Sequence, residues 1–170
     1  MVLFQRILNL LFIFVLCGVL LGGYLYQFIE SLEPCPLCFL QRLGMIGIAV
    51  ALMMNLRFGI KAQHYGLAIL STLLGYMVSL RQISLHACSD FPPPFLKAVF
   101  GLDLYVWGFI VFTCSVFACA VLLILYGCSK RQESLSWGLM EKCAFWLLLL
   151  VAFGNLINTL IDCGLTSCAP

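Results

Sequence analysis

Five apolar runs, each close to the length needed to cross a bilayer, take up most of this chain. They lie at roughly 7–28, 39–55, 65–83, 105–127 and 143–161, and a span takes about 20 mainly apolar residues. The breaks between them, 30–36, 55–64, 84–103 and 128–142, hold most of the polar and turn residues and are too short for a soluble domain. Only 9% of the 170 residues are charged, whereas a soluble surface draws on about 25%. The chain therefore reads as one all-α, polytopic membrane domain over 1–170 with five transmembrane helices. No repeat, low-complexity tract or linker marks a second domain. The net charge of +2 gives no case for nucleic-acid binding.

Smaller features refine this picture. "FPPPF" at 91–95 cannot be helix interior, because proline lacks the donor and clashes with the preceding turn. It belongs to an external or interfacial loop, and Phe95 to Leu104 reads as a short amphipathic stretch lying on the surface. The first run is too long for a cleaved signal peptide, and no small-x-small site follows it. "VLCG" at 15–18 has the outline of a lipoprotein site, but Leu16 stands where a small residue belongs. "GVLLG" at 18–22, and Gly44, Gly47 and Ala51 along one side of run two, favour close helix contact.

Sidedness follows from the basic residues. Arg6 precedes run one, Arg57 and Lys61 follow run two, and Lys130, Arg131 and Lys142 precede run five. The alternate breaks hold only Arg81 and Lys97. By the excess of Lys and Arg in cytoplasmic loops, the N-terminus is inside and the C-terminus outside. This sorts the ten cysteines. Cys35, Cys38, Cys88, Cys163 and Cys168 fall on the outer side, where disulfides persist. Cys17, Cys114 and Cys119 lie within spans, where a free cysteine acts as a small hydrophobe. Cys128 and Cys143 lie at the cytoplasmic side and read as plain thiols.

"EPCPLCFLQR" at 33–42 carries the chemistry. A Cys-x-x-Cys disulfide closes a small ring and exchanges readily; the thiolate is its nucleophile. Cys38 falls near the N-terminus of run two, where a helix favours an anion. Arg42 follows one turn later on the same face, and its charge is permanent. It can hold a thiolate or an electron-rich ring oxygen, or simply snorkel to the interface. The same cysteine spacing also serves a structural disulfide or half of a metal site, with His86 and Cys88 as further ligands. No dinucleotide-binding glycine pattern and no Cys-x-x-Cys-His haem motif is present. A lipid-embedded dithiol beside an arginine points to a lipid-soluble acceptor, a quinone. "DCGLTSC" at 162–168 sets Cys163 and Cys168 just past run five, as an exchange inlet or as a disulfide closing the tail. Cys88 is a third exchange partner or a free thiol.

"PCPLCFLQR" resembles the active segment of the disulfide bond formation protein B family, membrane thiol oxidases that reoxidise a thioredoxin-like oxidase and pass its electrons to a quinone. The likeness runs over about 7–127, and it implies a four-helix bundle core, with the fifth transmembrane helix and the cysteine-bearing tail, about 143–170, added to it. It implies that Cys35 and Cys38 are the catalytic pair, Cys38 the sulfur that meets the quinone, and Arg42 the quinone-side cation. "RQISLHAC" from Arg81 resembles the family's end of span three, with Gln82 standing where a quinone-contacting histidine is common. Trp107 matches an aromatic early in run four. The resemblance further implies ubiquinone or menaquinone as acceptor, a DsbA-like thioredoxin-fold oxidase as partner, and a bacterial inner membrane with the redox cysteines on the periplasmic face. Two departures stand out. The loop between spans three and four carries Cys88 where the family carries a pair, and a fifth span brings Cys163 and Cys168 outside. The tail pair, alone or with Cys88, is expected to fill that role. Two rivals are a vitamin-K-epoxide-reductase-like oxidase, whose Cys-x-x-Cys sits by a later span, and a thiol-rich metal transporter. The transporter would need more intramembrane acids or histidines.

Overall fold

A computed structural model describes residues 2–30, 35–87, 99, 101–128 and 137–163, with backbone alone at 87, 162 and 163. The described residues form five helices: α1 (Val2–Glu30), α2 (Pro36–Phe58), α3 (Ala62–Ala87), α4 (Leu104–Gly127) and α5 (Leu139–Cys163). All five are long and apolar enough to cross a membrane. In lipid the backbone must satisfy its own polar groups, which helices do. Helices α1, α3 and α5 extend beyond their apolar runs because flanking polar residues continue them: Gln5 and Arg6 in α1, Gln63 and His64 in α3, Glu141 and Lys142 in α5. Leu104, expected to end a surface stretch, opens α4 instead, and Val99 and Leu102 pair as an isolated antiparallel bridge. The remainder of that stretch, and the triple proline, lie outside the described residues.

Helix α2 is the hub. Of its most apolar stretch 56% is buried inside the protein, against 33% for α1 and 22% for α5. Ile48, Ala49, Leu52 and Leu56 are fully covered. Helix α3 packs most extensively on α2, and α4 on α3; α1 packs on α2 and touches α4 to a lesser extent. Helix α5 touches α1 and α2 and, among the described residues, neither α3 nor α4. The α2–α3 turn is short because Gly59 takes a positive φ of 82°, which glycine adopts without strain. Asn55 then accepts the Lys61 N–H at 3.1 Å.

Small residues let α2, α3 and α4 approach. A Cβ on Gly75 would come within 2.2 Å of the fully buried Phe112 ring, and one on Gly44 within 3.2 Å of the Gly75 Cα. Gly18 and Gly22 differ from their sequence expectation: among the described residues nothing lies within 4 Å of a Cβ added to either, so these two glycines mark no close helix contact there. Gly22 instead lines a cavity.

A buried polar layer ties the end of the bundle that holds the start of α1. Arg6 pairs with Glu141 of α5, both about nine-tenths buried. Asn9 donates to the Tyr65 hydroxyl at 2.8 Å, and the Asn55 carbonyl lies 2.9 Å from His64 Nδ1. Arg57 sits over the Trp137 ring at 5.3 Å. Arg6 and Arg57, read from the sequence as marking one side, thus share one end of the bundle. Cys35 lies at the other.

Candidate active site

The redox segment is shaped by its own start signal. Pro36 occupies the first turn of α2, where a missing N–H costs nothing and the fixed φ is already helical. Cys35 is the N-cap, and its sulfur accepts the Cys38 N–H at 3.3 Å. Capping therefore folds Cys35 back over Cys38, and the two Sγ atoms stand 2.7 Å apart as thiols sharing a hydrogen. A covalent S–S bond is about 2.05 Å, so closing the disulfide takes only a small side-chain movement. The hydrogen shared with Cys38, reinforced by burial, pushes the Cys35 thiol well above the ordinary cysteine range. Cys35 is thus the sulfur that keeps the proton.

Two glutamines hold the pair. Gln82 of α3, almost fully buried, donates from Nε2 to Cys35 Sγ at 3.2 Å and to Cys38 Sγ at 3.5 Å. Its orientation is set from behind, because Gln41 Nε2 donates to Gln82 Oε1 at 2.9 Å. Gly108 of α4 leaves room for this: a Cβ there would lie 2.9 Å from Gln41 Oε1. His86, one turn beyond Gln82, places Nδ1 2.8 Å from the Gln82 carbonyl and stacks on Tyr105 at 4.7 Å. Among the described residues, no three of His, Cys, Asp or Glu gather as a metal site requires.

Arg42 is 8% exposed. Its guanidinium lies over the Tyr24 ring at 4.5 Å, and Nη2 donates to Gln27 Oε1 at 2.7 Å. The other terminal nitrogen, Nη1, is buried with no hydrogen-bond partner in the described structure. A buried, charged donor left in that state is costly.

These groups share the wall of one cavity of about 860 Å³. Cys35, Cys38, Gln41, Arg42, Gln82 and His86 line its polar end. Phe12, Val15 and Val19 of α1 and Ile110, Val111 and Cys114 of α4 line its long apolar remainder. Gly22 and Gly23 widen it. Trp107 also lines it, its indole donating to the Val99 carbonyl at 3.0 Å.

Of the residues singled out from the sequence, Cys35, Cys38, Arg42 and Gln82 come together at this cavity. Cys88 and Cys168 lie outside the described residues, and of Cys163 only the backbone is described, as the last residue of α5. Cys17 and Cys119 are buried in the core, whereas Cys114 faces the cavity. Gln27, Gln41, Tyr24 and Gly108 were not singled out. Gln41 was within reach, being one turn past Cys38 on its face. Gln27 and Tyr24 were signalled only as polar groups in an apolar run.

Fold and site together define a multi-pass membrane protein with a paired-thiol centre on the wall of an apolar, cation-tipped cavity. The family model for Disulfide bond formation protein DsbB matches residues 5–153, reaching into α5. The chain belongs to that family. Relatives named Disulfide bond formation protein B include those of Ralstonia nicotianae, 42% identical over 77 residues (44% of this chain, 48% of the relative), and Nitrosomonas eutropha, 43% identical over 83 residues (46% and 51%). That of Aromatoleum aromaticum is 35% identical over 103 residues, 57% of this chain and 60% of the relative. The chain thus spans about half the length of the curated relatives it matches. No solved structure matches it.

Proposed function

We propose that this chain is a protein-disulfide oxidoreductase that supports disulfide formation in exported proteins. It would reoxidise a DsbA-like, thioredoxin-fold dithiol oxidase and pass the electrons to a quinone. The observation that carries the reading is the placement of two thiols 2.7 Å apart on the wall of an apolar cavity that Arg42 also lines. A quinone suits those residues: the cavity volume of about 860 Å³ falls within the roughly 300–1,000 Å³ of small-molecule sites. The Arg42 cation in the lining suits an electron-rich ring oxygen, and the apolar lining suits a hydrocarbon tail.

The chemistry balances in two steps. A thiolate of the partner attacks the outer-face disulfide, and exchange through a mixed disulfide leaves the partner oxidised and this chain reduced. Cys163 and Cys168, alone or with Cys88, receive that attack and hand the reduction to Cys35–Cys38. When bound, a quinone, ubiquinone or menaquinone, supplies an acceptor for two electrons and two protons. The Cys35–Cys38 dithiol releases both, and its disulfide reforms. Cys38 is the sulfur facing the acceptor; Arg42 holds the acceptor's oxygen, and Gln82 steadies both sulfurs. In this reading the domain is a four-helix core with α5 as an added span, set in a bacterial inner membrane with Cys35, Cys38 and the C-terminus outside.

The test is turnover of a reduced thioredoxin-fold dithiol protein by the purified chain with a short-chain quinone. Turnover should vanish in Cys35→Ser and Cys38→Ser and drop sharply in Cys163→Ser/Cys168→Ser. Normal rates in the tail double variant would remove the relay. Labelling of Cys35 and Cys38 from the cytoplasmic side by an impermeant thiol reagent would remove the whole proposal.

A further inference from the structure

We infer that α5 positions the cavity's cation: Asn155 and Asn158 hold Tyr24 and Gln27, and these two hold Arg42. The inference rests on the reading of the cavity as the acceptor site. It assigns a role to the fifth helix, which among the described residues contributes none to the cavity wall.

Two parallel contacts carry it. Asn155, 6% exposed, accepts the Tyr24 hydroxyl hydrogen at 3.0 Å, and the Tyr24 ring lies 4.5 Å beneath the Arg42 guanidinium. Asn158 donates from Nδ2 to Gln27 Oε1 at 3.5 Å, the same oxygen that accepts Arg42 Nη2 at 2.7 Å. Tyr24 and Gln27 are three residues apart on α1, as are Asn155 and Asn158 on α5. Each pair therefore lies on one face, a turn apart, and the two rungs meet in register. Four polar side chains inside apolar spans are costly unless they pair across helices. Arg42, which lines the cavity, is thereby held through one edge and one face, and this fixes the place of its charge at the wall. Asn155 and Asn158 are thus positioning residues, acting through Tyr24 and Gln27.

The other end of α5 makes the idea testable, because the Arg6–Glu141 pair fastens the helix to α1 independently. Asn155→Leu and Asn158→Leu should therefore keep α5 docked. Each variant should raise the KM for a short-chain quinone about five-fold, the worth of one buried neutral hydrogen bond. The quinone Kd, read from quenching of tryptophan fluorescence, should rise in parallel, with kcat and the rate of dithiol exchange unchanged. Tyr24→Phe removes one hydroxyl and keeps the ring under Arg42. It should match Asn155→Leu, and the two together should be no worse than either alone. If the asparagine variants do not fold, Tyr24→Phe decides the matter by itself. Wild-type KM and Kd in the folded variants, or a Tm loss with no change in either, would overturn the inference and leave α5 a packing helix. Absence of quinone binding by the wild-type chain would instead overturn the acceptor reading beneath it.

Discussion

Replacing Gln82 by leucine separates two effects that the structure assigns to one side chain. The substitution keeps an apolar stem out to Cδ but removes the N–H donors to Cys35 and Cys38, at 3.2 and 3.5 Å, and the acceptor for Gln41. Sulfur is a weak acceptor, so the two contacts together contribute about 1 kcal/mol. They favour the reduced pair, because a thiol or thiolate accepts a hydrogen bond better than a disulfide sulfur does. Their loss should lower the reduction potential of Cys35–Cys38 by roughly 20 mV, since about 30 mV equals 1.4 kcal/mol for a two-electron couple. The unpaired Gln41 amide costs a further 1–3 kcal/mol or so in both redox states. It lowers thermal stability and leaves the potential alone. Equilibration with glutathione buffers, alkylation and peptide-resolved mass spectrometry of residues 35 and 38 would read the potential. A potential that stays the same or rises would refute the role given to Gln82.

Gly75→Ala should destabilise the folded protein by about 1–3 kcal/mol through overpacking, because its Cβ would fall 2.2 Å from the Phe112 ring; thermal unfolding in detergent checks this, with Phe112→Leu restoring part of the loss. Glu141→Gln should cost about 3 kcal/mol by leaving Arg6 buried without its counter-charge, and the Arg6→Met/Glu141→Leu double variant should recover most of it in the same assay. Alkylation of Cys35 should show a midpoint at lower pH in Cys38→Ala than in the wild type. A raised pKa delays the thiolate to higher pH, and the shared hydrogen with Cys38 is the largest cause of the rise. The part due to burial remains, so the midpoint should stay above the value of a free thiol.

Much of the site was legible before any coordinates. Cys35, Cys38 and Arg42 declared themselves by spacing and by their place at the start of an apolar run, because a helix dictates which side chains share a face over one turn. Gln82 came from resemblance, and its contact with both sulfurs needed the structure. Gln41, Tyr24 and Gln27 went unassigned because an amide or phenol within a span is ambiguous until its partner on another helix is known. "GVLLG" shows the converse: its spacing suited helix contact, yet among the described residues its glycines meet nothing.

By itself the sequence determined the number of membrane-spanning helices, their order and the segment that carries the paired cysteines. These depend on local quantities: the length of apolar runs, the donor that proline lacks, and the spacing of residues along one helix. Tertiary structure alone decided that α2 is the hub, that a cavity lies against α1 and α4, and that α5 reaches Arg42 through α1. Those facts depend on which helix faces meet, and a side chain of one helix carries no mark of the residue it will touch on another.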